Sequence, residues 1–175
     1  MNAMSRLDED PSLATSTSSW GETAIQAASH LGHRRLIVRL VESGVELDVF
    51  AAAALADLEA VASMISGRPK DVCGIHDLPL MHFAVVSRDP GVVEELMAAG
   101  VPPNPPAASL SALHSAVSVG STQMIRALVS GGADVSFSDG FGGTALDWAY
   151  WLRETDPEVL RLLGTSSARD ARQKA

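Results

Sequence analysis

The sequence predicts an all-α protein, a solenoid of stacked helix–turn–helix units joined by hairpin or loop fingers. Three observations carry that expectation. The chain repeats itself: residues 21–33 read G-E-T-A-I-Q-A-A-S-H-L-G-H, 111–120 read S-A-L-H-S-A-V-S-V-G and 143–149 read G-T-A-L-D-W-A. The copies are evenly spaced, since His82 and His114 lie 32 residues apart and Asp147 follows His114 by 33, with Gln26 in the corresponding place of the first copy. A period of about 33 residues marks helical units that bury their apolar faces only by stacking on one another. Finally, the second half of each regular copy is apolar on one side. Leu36, Ile37, Leu40 and Val41 recur as Val92, Val93, Leu96 and Met97, then as Met124, Ile125, Leu128 and Val129. This i, i+1, i+4, i+5 pattern belongs to an amphipathic helix. Gly44, Gly100 and Gly132 follow these helices, where a left-handed C-cap requires φ > 0.

The elements follow in order. Ala3 to Leu7 reads as a short leading helix that Asp10-Pro11 ends, because the residue before proline leaves the helical region. Residues 1–17 are thus an N-terminal cap or partial repeat, and the repeats occupy 18–164, dividing at about 18–48, 49–72, 73–106, 107–138 and 139–164. Thr23, Ser111 and Thr144 are placed to cap their helices through a side-chain oxygen. Each first helix closes on a short step: Gly32-His33, Ala56-Asp57, Arg88-Asp89 and Gly120-Ser121. The second copy is degenerate: Ala28 and Ala52 are separated by 24 residues, so its finger is cut short and two helices follow almost directly. Gly67, Pro69, Gly74 and Pro79 make 67–79 a long loop. Pro102 to Pro106 is a stiff turn in place of a regular hairpin. The final helix pair holds Trp148, Tyr150, Trp151 and Leu152, then Val159, Leu160, Leu162 and Leu163, joined by a longer connection from Arg153 to Pro157. Trp148 and Tyr150 are expected on its packed side. A polar tail, 165–175, ends the chain.

Composition narrows the function. Of 175 residues, 46% are hydrophobic and only 5% aromatic, which suits a continuous core of small side chains between closely packed helices. The net charge of −8 argues against nucleic acid and against an anionic membrane surface. Cys73 is the single cysteine, so no intrachain disulfide forms, in keeping with a reducing compartment. Met1 to Pro11 has no apolar stretch and does not read as a secretory signal, and the uncharged run Val49 to Ala56 is too short to span a bilayer. A cytoplasmic protein is the expectation.

The repeated phrase resembles the T-P-L-H-x-A opening of an ankyrin repeat, and Gly132-Ala133-Asp134-Val135 resembles that family's G-A-D-V finger entry. Ala24, Ala112 and Ala145 depart from the family by replacing its proline. The resemblance implies a non-catalytic adaptor, inhibitor or scaffold that binds one protein partner through the concave face and the finger tips. It implies structural roles for His82 and His114, as hydrogen-bond donors to neighbouring backbone. Gly140 to Gly143 matches the family's D-x-x-G turn starting at Asp139 better than a phosphate loop. His30-x-x-His33 lacks a cysteine or carboxylate spaced to complete a site, so no metal is expected. No cofactor and no catalytic residue are expected either, because no nucleophile stands beside a base.

Carried over position by position, the family's variable surface falls on Trp20, Glu22, His30 and Leu31 in the first repeat and on Ala54 and Leu55 in the second. The third contributes Ile75, His76, Leu78, Val86 and Ser87, with Asp77 where the turn glycine belongs. The fourth contributes Ala107, Ala108, Leu110, Ser118 and Val119, and the fifth Phe141, Gly143, Trp151 and Leu152. Trp20, Leu31, Leu55, Leu78, Val119, Phe141 and Trp151 would form an apolar stripe, the composition of an interface core. The acidic balance favours a partner of basic character around an apolar anchor. The expected state is a monomer, with self-association through the stripe as the variant. The alternative function is a regulatory protein holding a small molecule between the 67–79 loop and the stripe.

Overall fold

The computed structural model describes residues 3–67, 69–104, 109–153 and 156–164. A leading helix α1 (Ala3–Glu9) precedes the pairs α2 (Ala24–His30) and α3 (Arg34–Glu42), α4 (Val49–Ala54) and α5 (Leu58–Ile65), α6 (Leu80–Val86) and α7 (Pro90–Ala98), α8 (Ala112–Ser118) and α9 (Thr122–Ser130). The last pair is α10 (Ala145–Trp151) and α11 (157–164). The first members pack in a file, α2 on α4, α4 on α6, α6 on α8 and α8 on α10, while α7 packs on α9 behind them. Apolar residues at helical spacing fill the space between the files: Ile37, Leu40, Leu80, Met81, Phe83, Leu113, Met124, Ile125 and Leu128 are fully buried. Burying each such side chain stabilises the fold by roughly 1.5–3 kcal/mol.

Extended pairing among the described residues is confined to isolated antiparallel bridges, Thr17 with Thr23, Cys73 with Pro79 and Ser138 with Thr144. Each bridge closes a finger, and its second member is the N-cap of α2, α6 or α10. The fifth residue of each finger is left-handed: Gly21 (φ 89°), Asp77 (φ 55°) and Gly142 (φ 85°). Asp77 therefore adopts the turn conformation that glycine supplies elsewhere. Left-handed backbone recurs just after each first helix, at Gly32, Ala56, Arg88, Gly120 and Arg153, and beyond the second helices at Gly44, Gly100 and Gly132. The repeat is thus written in the backbone even where glycine is missing.

The second unit has no finger. Asp48 caps α4 directly, its side chain accepting from the Ala51 N–H at 2.7 Å. α4 is short, and Ala51 to Ala54 are all buried. Small side chains there let the first and third units touch across it: α2 contacts α6, and a Cβ on Gly32 would lie 2.6 Å from the Val86 carbonyl oxygen.

Both ends are covered. α1 runs to Glu9, past the expected Leu7, and a 3-10 turn, Pro11–Thr15, follows it. The sequence did not announce that turn, which Asp10 caps by accepting from the Ser12 N–H. Leu7 is buried, and Asp8 pairs with Arg39 of α3 at 2.9 Å. At the other end Val159, Leu162 and Leu163 are buried, and Arg126 of α9 grips both oxygens of Glu158. Asn104 joins the proline-rich turn to the next unit, accepting from the Asp134 N–H and donating to the Gly132 carbonyl. Pro105, Pro106, Ala107, Ala108 and the 165–175 tail lie outside the described residues.

Two local expectations fail. Ser111 makes no capping bond; its hydroxyl lies 2.8 Å from His114 Nδ1 instead. Tyr150 is 61% exposed, because only Ala145 and Ala149 of α10 face fully inward. Trp148 is half-buried, edge-on to His114, and donates to Asp139 at 2.8 Å.

Candidate functional site

The fingers present equivalent positions in register. Trp20, His76 and Phe141 each stand three residues after the start of a finger, at its tip. Trp20 is 70% exposed and Phe141 wholly so. Leu31 and Leu152, which close α2 and α10, are exposed as well, as is Trp151. Large apolar side chains are thus held in water at the tips of the first and fifth fingers and at the ends of the outermost first helices.

The stripe is not continuous. Leu55 and Val119 occupy the same helix-end position as Leu31 but are half-buried. Arg34 donates to the Leu55 carbonyl, and Arg88 donates to the Val119 carbonyl at 3.3 Å, so each arginine lies over the next unit. Leu78 is buried and so is Ala54. Ile75, Val86, Ser87, Leu110 and Gly143 are half-buried, Ser118 is exposed, and Ala107 and Ala108 are not among the described residues. Leu78 departs from expectation because the sixth residue of a finger faces the helices. The same place is filled by Glu22 and Gly143, and Gly143 lies against the Trp148 ring.

Glu22 is therefore a carboxylate at an inward position, 7% exposed. Its Oε2 accepts from the Trp20 indole N–H at 3.0 Å. Its Oε1 lies 2.8 Å from His30 Nδ1 and 3.7 Å from His76 Nε2. The two imidazoles meet edge to face, with centroids 5.4 Å apart. Sequence reasoning named all three residues as surface positions but did not join them. They are separated by 8 and 46 positions, a spacing that matches no metal or catalytic motif.

His82 and His114 hold the stack together. His114 Nε2–H donates to the Gly143 carbonyl of the fifth finger at 3.0 Å, and its Nδ1 accepts from Ser111. His82 Nε2–H donates to the His30 carbonyl at 3.0 Å, and its Nδ1 accepts from Ser115 at 2.7 Å. Burial holds the His82 imidazole down at about 4 and pulls His114 below its ordinary 6.5. Ser111, Ser115 and His114 are buried, so these serine–histidine pairs present no nucleophile to a substrate. Asp139 accepts from the Phe141 and Gly143 N–H groups and from Trp148, which fixes the fifth finger and lowers its carboxyl from the ordinary value. That is a turn, not a phosphate cradle.

The 67–79 loop packs inward through Gly74, where a Cβ would stand 3.0 Å from the Phe83 ring and 3.1 Å from Phe50. Two clefts lie away from the fingers. One, of about 550 Å³, runs between α7 and α9 past Glu94, Met97 and Arg126. The other, of about 250 Å³, opens beside α1 at Leu7, Leu13 and Leu36.

The family description "Ankyrin repeats (3 copies)" matches residues 80–174 of this chain. Among solved structures, an ankyrin repeat domain from Acinetobacter baumannii AYE is similar in fold. It is 20% identical, with 94% of this chain and 91% of that chain covered, at a TM-score of 0.59. No curated protein sequence matches this chain.

Proposed function

This chain belongs to the ankyrin repeat family, and from that premise we propose that it is a non-catalytic module, an adaptor, inhibitor or scaffold. It binds one protein partner through its finger tips and the concave face of its first helices. Ankyrin repeats are protein–protein interaction modules, which supports the general reading. The observation that supports this particular surface is the exposure of Trp20, Phe141 and Trp151, at 70, 101 and 78%. Aromatic side chains held in water are the anchors that supply most of an interface's energy when a partner's pocket covers them. The charge of −8 favours a partner whose rim is basic. The half-buried, unpaired thiol of Cys73 fits a cytoplasmic setting. Among the described residues no helix is long and apolar enough to cross a membrane.

The test replaces the anchors without touching the core. Trp20→Gln keeps an N–H for Glu22, and Phe141→Ser removes a side chain that touches nothing. The double variant is expected to melt with the wild type while losing a partner that wild type enriches from native lysate. A partner retained equally by both proteins would refute this surface.

A further inference from the structure

We propose that Glu22, His30 and His76 bind one divalent cation of the zinc class, which ties the first finger to the third. The inference is independent of the partner-binding reading. Glu22 Oε1, His30 Nδ1 and His76 Nε2 lie within 4.8 Å of one another, close enough to share one ion. Zinc sits about 2.0–2.2 Å from imidazole nitrogen and carboxylate oxygen, which separates tetrahedral ligand atoms by about 3.3 Å. The observed separations of 2.8 Å from Glu22 to His30 and 3.7 Å from Glu22 to His76 straddle that value. Small side-chain adjustments reach it.

The donors are prepared for a cation. Glu22 Oε1 and His30 Nδ1 are both buried and lie 2.8 Å apart, at ion-pair distance but without the alignment of a hydrogen bond. A buried contact so poorly aligned leaves both groups under-satisfied, and a cation that takes a lone pair from each satisfies both. The surrounding bonds supply the outer support that metal ligands need. The Trp20 indole N–H occupies Glu22 Oε2 and leaves Oε1 to face the two imidazoles. The His30 carbonyl is held by His82, and the His76 carbonyl accepts from Ser109 Oγ at 2.7 Å. His76 has a φ of 59°, and its ring lies edge-on to His30 with Nε2 turned to Glu22. Two nitrogens and one oxygen suit zinc, nickel or copper, not magnesium or calcium, which prefer oxygen alone. The His76 side chain is 50% exposed, so water reaches the fourth position.

The site exists because the second unit lacks a finger. With nothing between them, the first and third fingers meet, and residues that spacing alone keeps apart converge. Of the two histidines weighed from sequence, His30 takes part and His33 does not: His33 is exposed at the start of α3.

Calorimetric titration of the metal-free full chain with Zn2+, and visible absorption with Co2+, tests this directly. One equivalent is expected to bind, giving the d–d bands of a four- or five-coordinate Co2+ ion and a higher melting temperature. His76→Ala and Glu22→Gln should each weaken binding about tenfold or more, while His33→Ala and Cys73→Ser bind like wild type. His76→Ala removes a half-exposed side chain and keeps the test decisive should Glu22→Gln fail to fold. Absence of saturable one-to-one binding, unchanged affinity in His76→Ala, or loss of binding in Cys73→Ser would each overturn the proposal.

Discussion

Gly32 has a φ of 67°, and a Cβ there would stand 2.6 Å from the Val86 carbonyl oxygen. Gly44 has a φ of 91° but open space where a Cβ would go. The two glycines separate backbone strain from contact. Gly44→Ala should cost about 1–2 kcal/mol, the price of a left-handed side chain alone, and Gly32→Ala distinctly more, on the order of 3 kcal/mol, because backbone must also move. Urea unfolding midpoints check the order, and equal losses would deny the close approach of the first and third units. The need for Gly44 was legible in the sequence, since it follows an apolar helical pattern. The tightness at Gly32 was not, because its neighbour Val86 is 54 positions away. Ser111 teaches the same lesson at closer range. A serine before a helix reads as a cap, but capping needs the hydroxyl oxygen turned toward the helix N–H groups, and here the hydroxyl is turned to His114 Nδ1 instead.

Elements were legible where a local rule determines them. Thr23 and Thr144 form capping boxes with Gln26 and Asp147, as side-chain chemistry alone demands. Thr144→Ala is expected to lower stability by about 1 kcal/mol while leaving the other fingers intact. Thermal melting reads the loss, and an unchanged melting temperature would show that the bridge to Ser138 holds the finger without the cap. The fingers were less legible. Their lengths could be counted, but which side chain turns inward depends on the twist of seven residues. Glu22 and Leu78 were accordingly placed on the surface and are buried. Tyr150 was placed in the packed side and is exposed, because α10 has a single neighbouring first helix, α8, to bury a face against.

For the molecule as a whole, stability is a chain of contacts between neighbouring units, and the contact of α2 with α6 skips a unit. Buried imidazoles tie these links, and they set the pH response. Because His82 and His114 titrate below 6.5 when folded, the unfolded chain binds protons first as the solution is acidified. Stability is therefore full above pH 6.5 and falls as the pH drops toward about 4, where His82 itself protonates. Asp139 and Asp147, whose carboxyls are lowered by their turn and cap hydrogen bonds, add a further loss below 3.8. Melting temperatures from pH 7.5 to 4.5 should decline, and His114→Gln should flatten the decline; a flat wild-type profile would contradict the buried neutral histidines. The sequence by itself determined the repeat, its period, the apolar faces and the glycine stops, because each follows from side chains within one turn or one unit. The tertiary structure decided which residues of distant units meet: His82 with His30, Gly32 with Val86, and Glu22 with His76. Those contacts depend on how far a short, alanine-lined second unit lets its neighbours close, a distance set by packing across the stack and by no local signal in the chain.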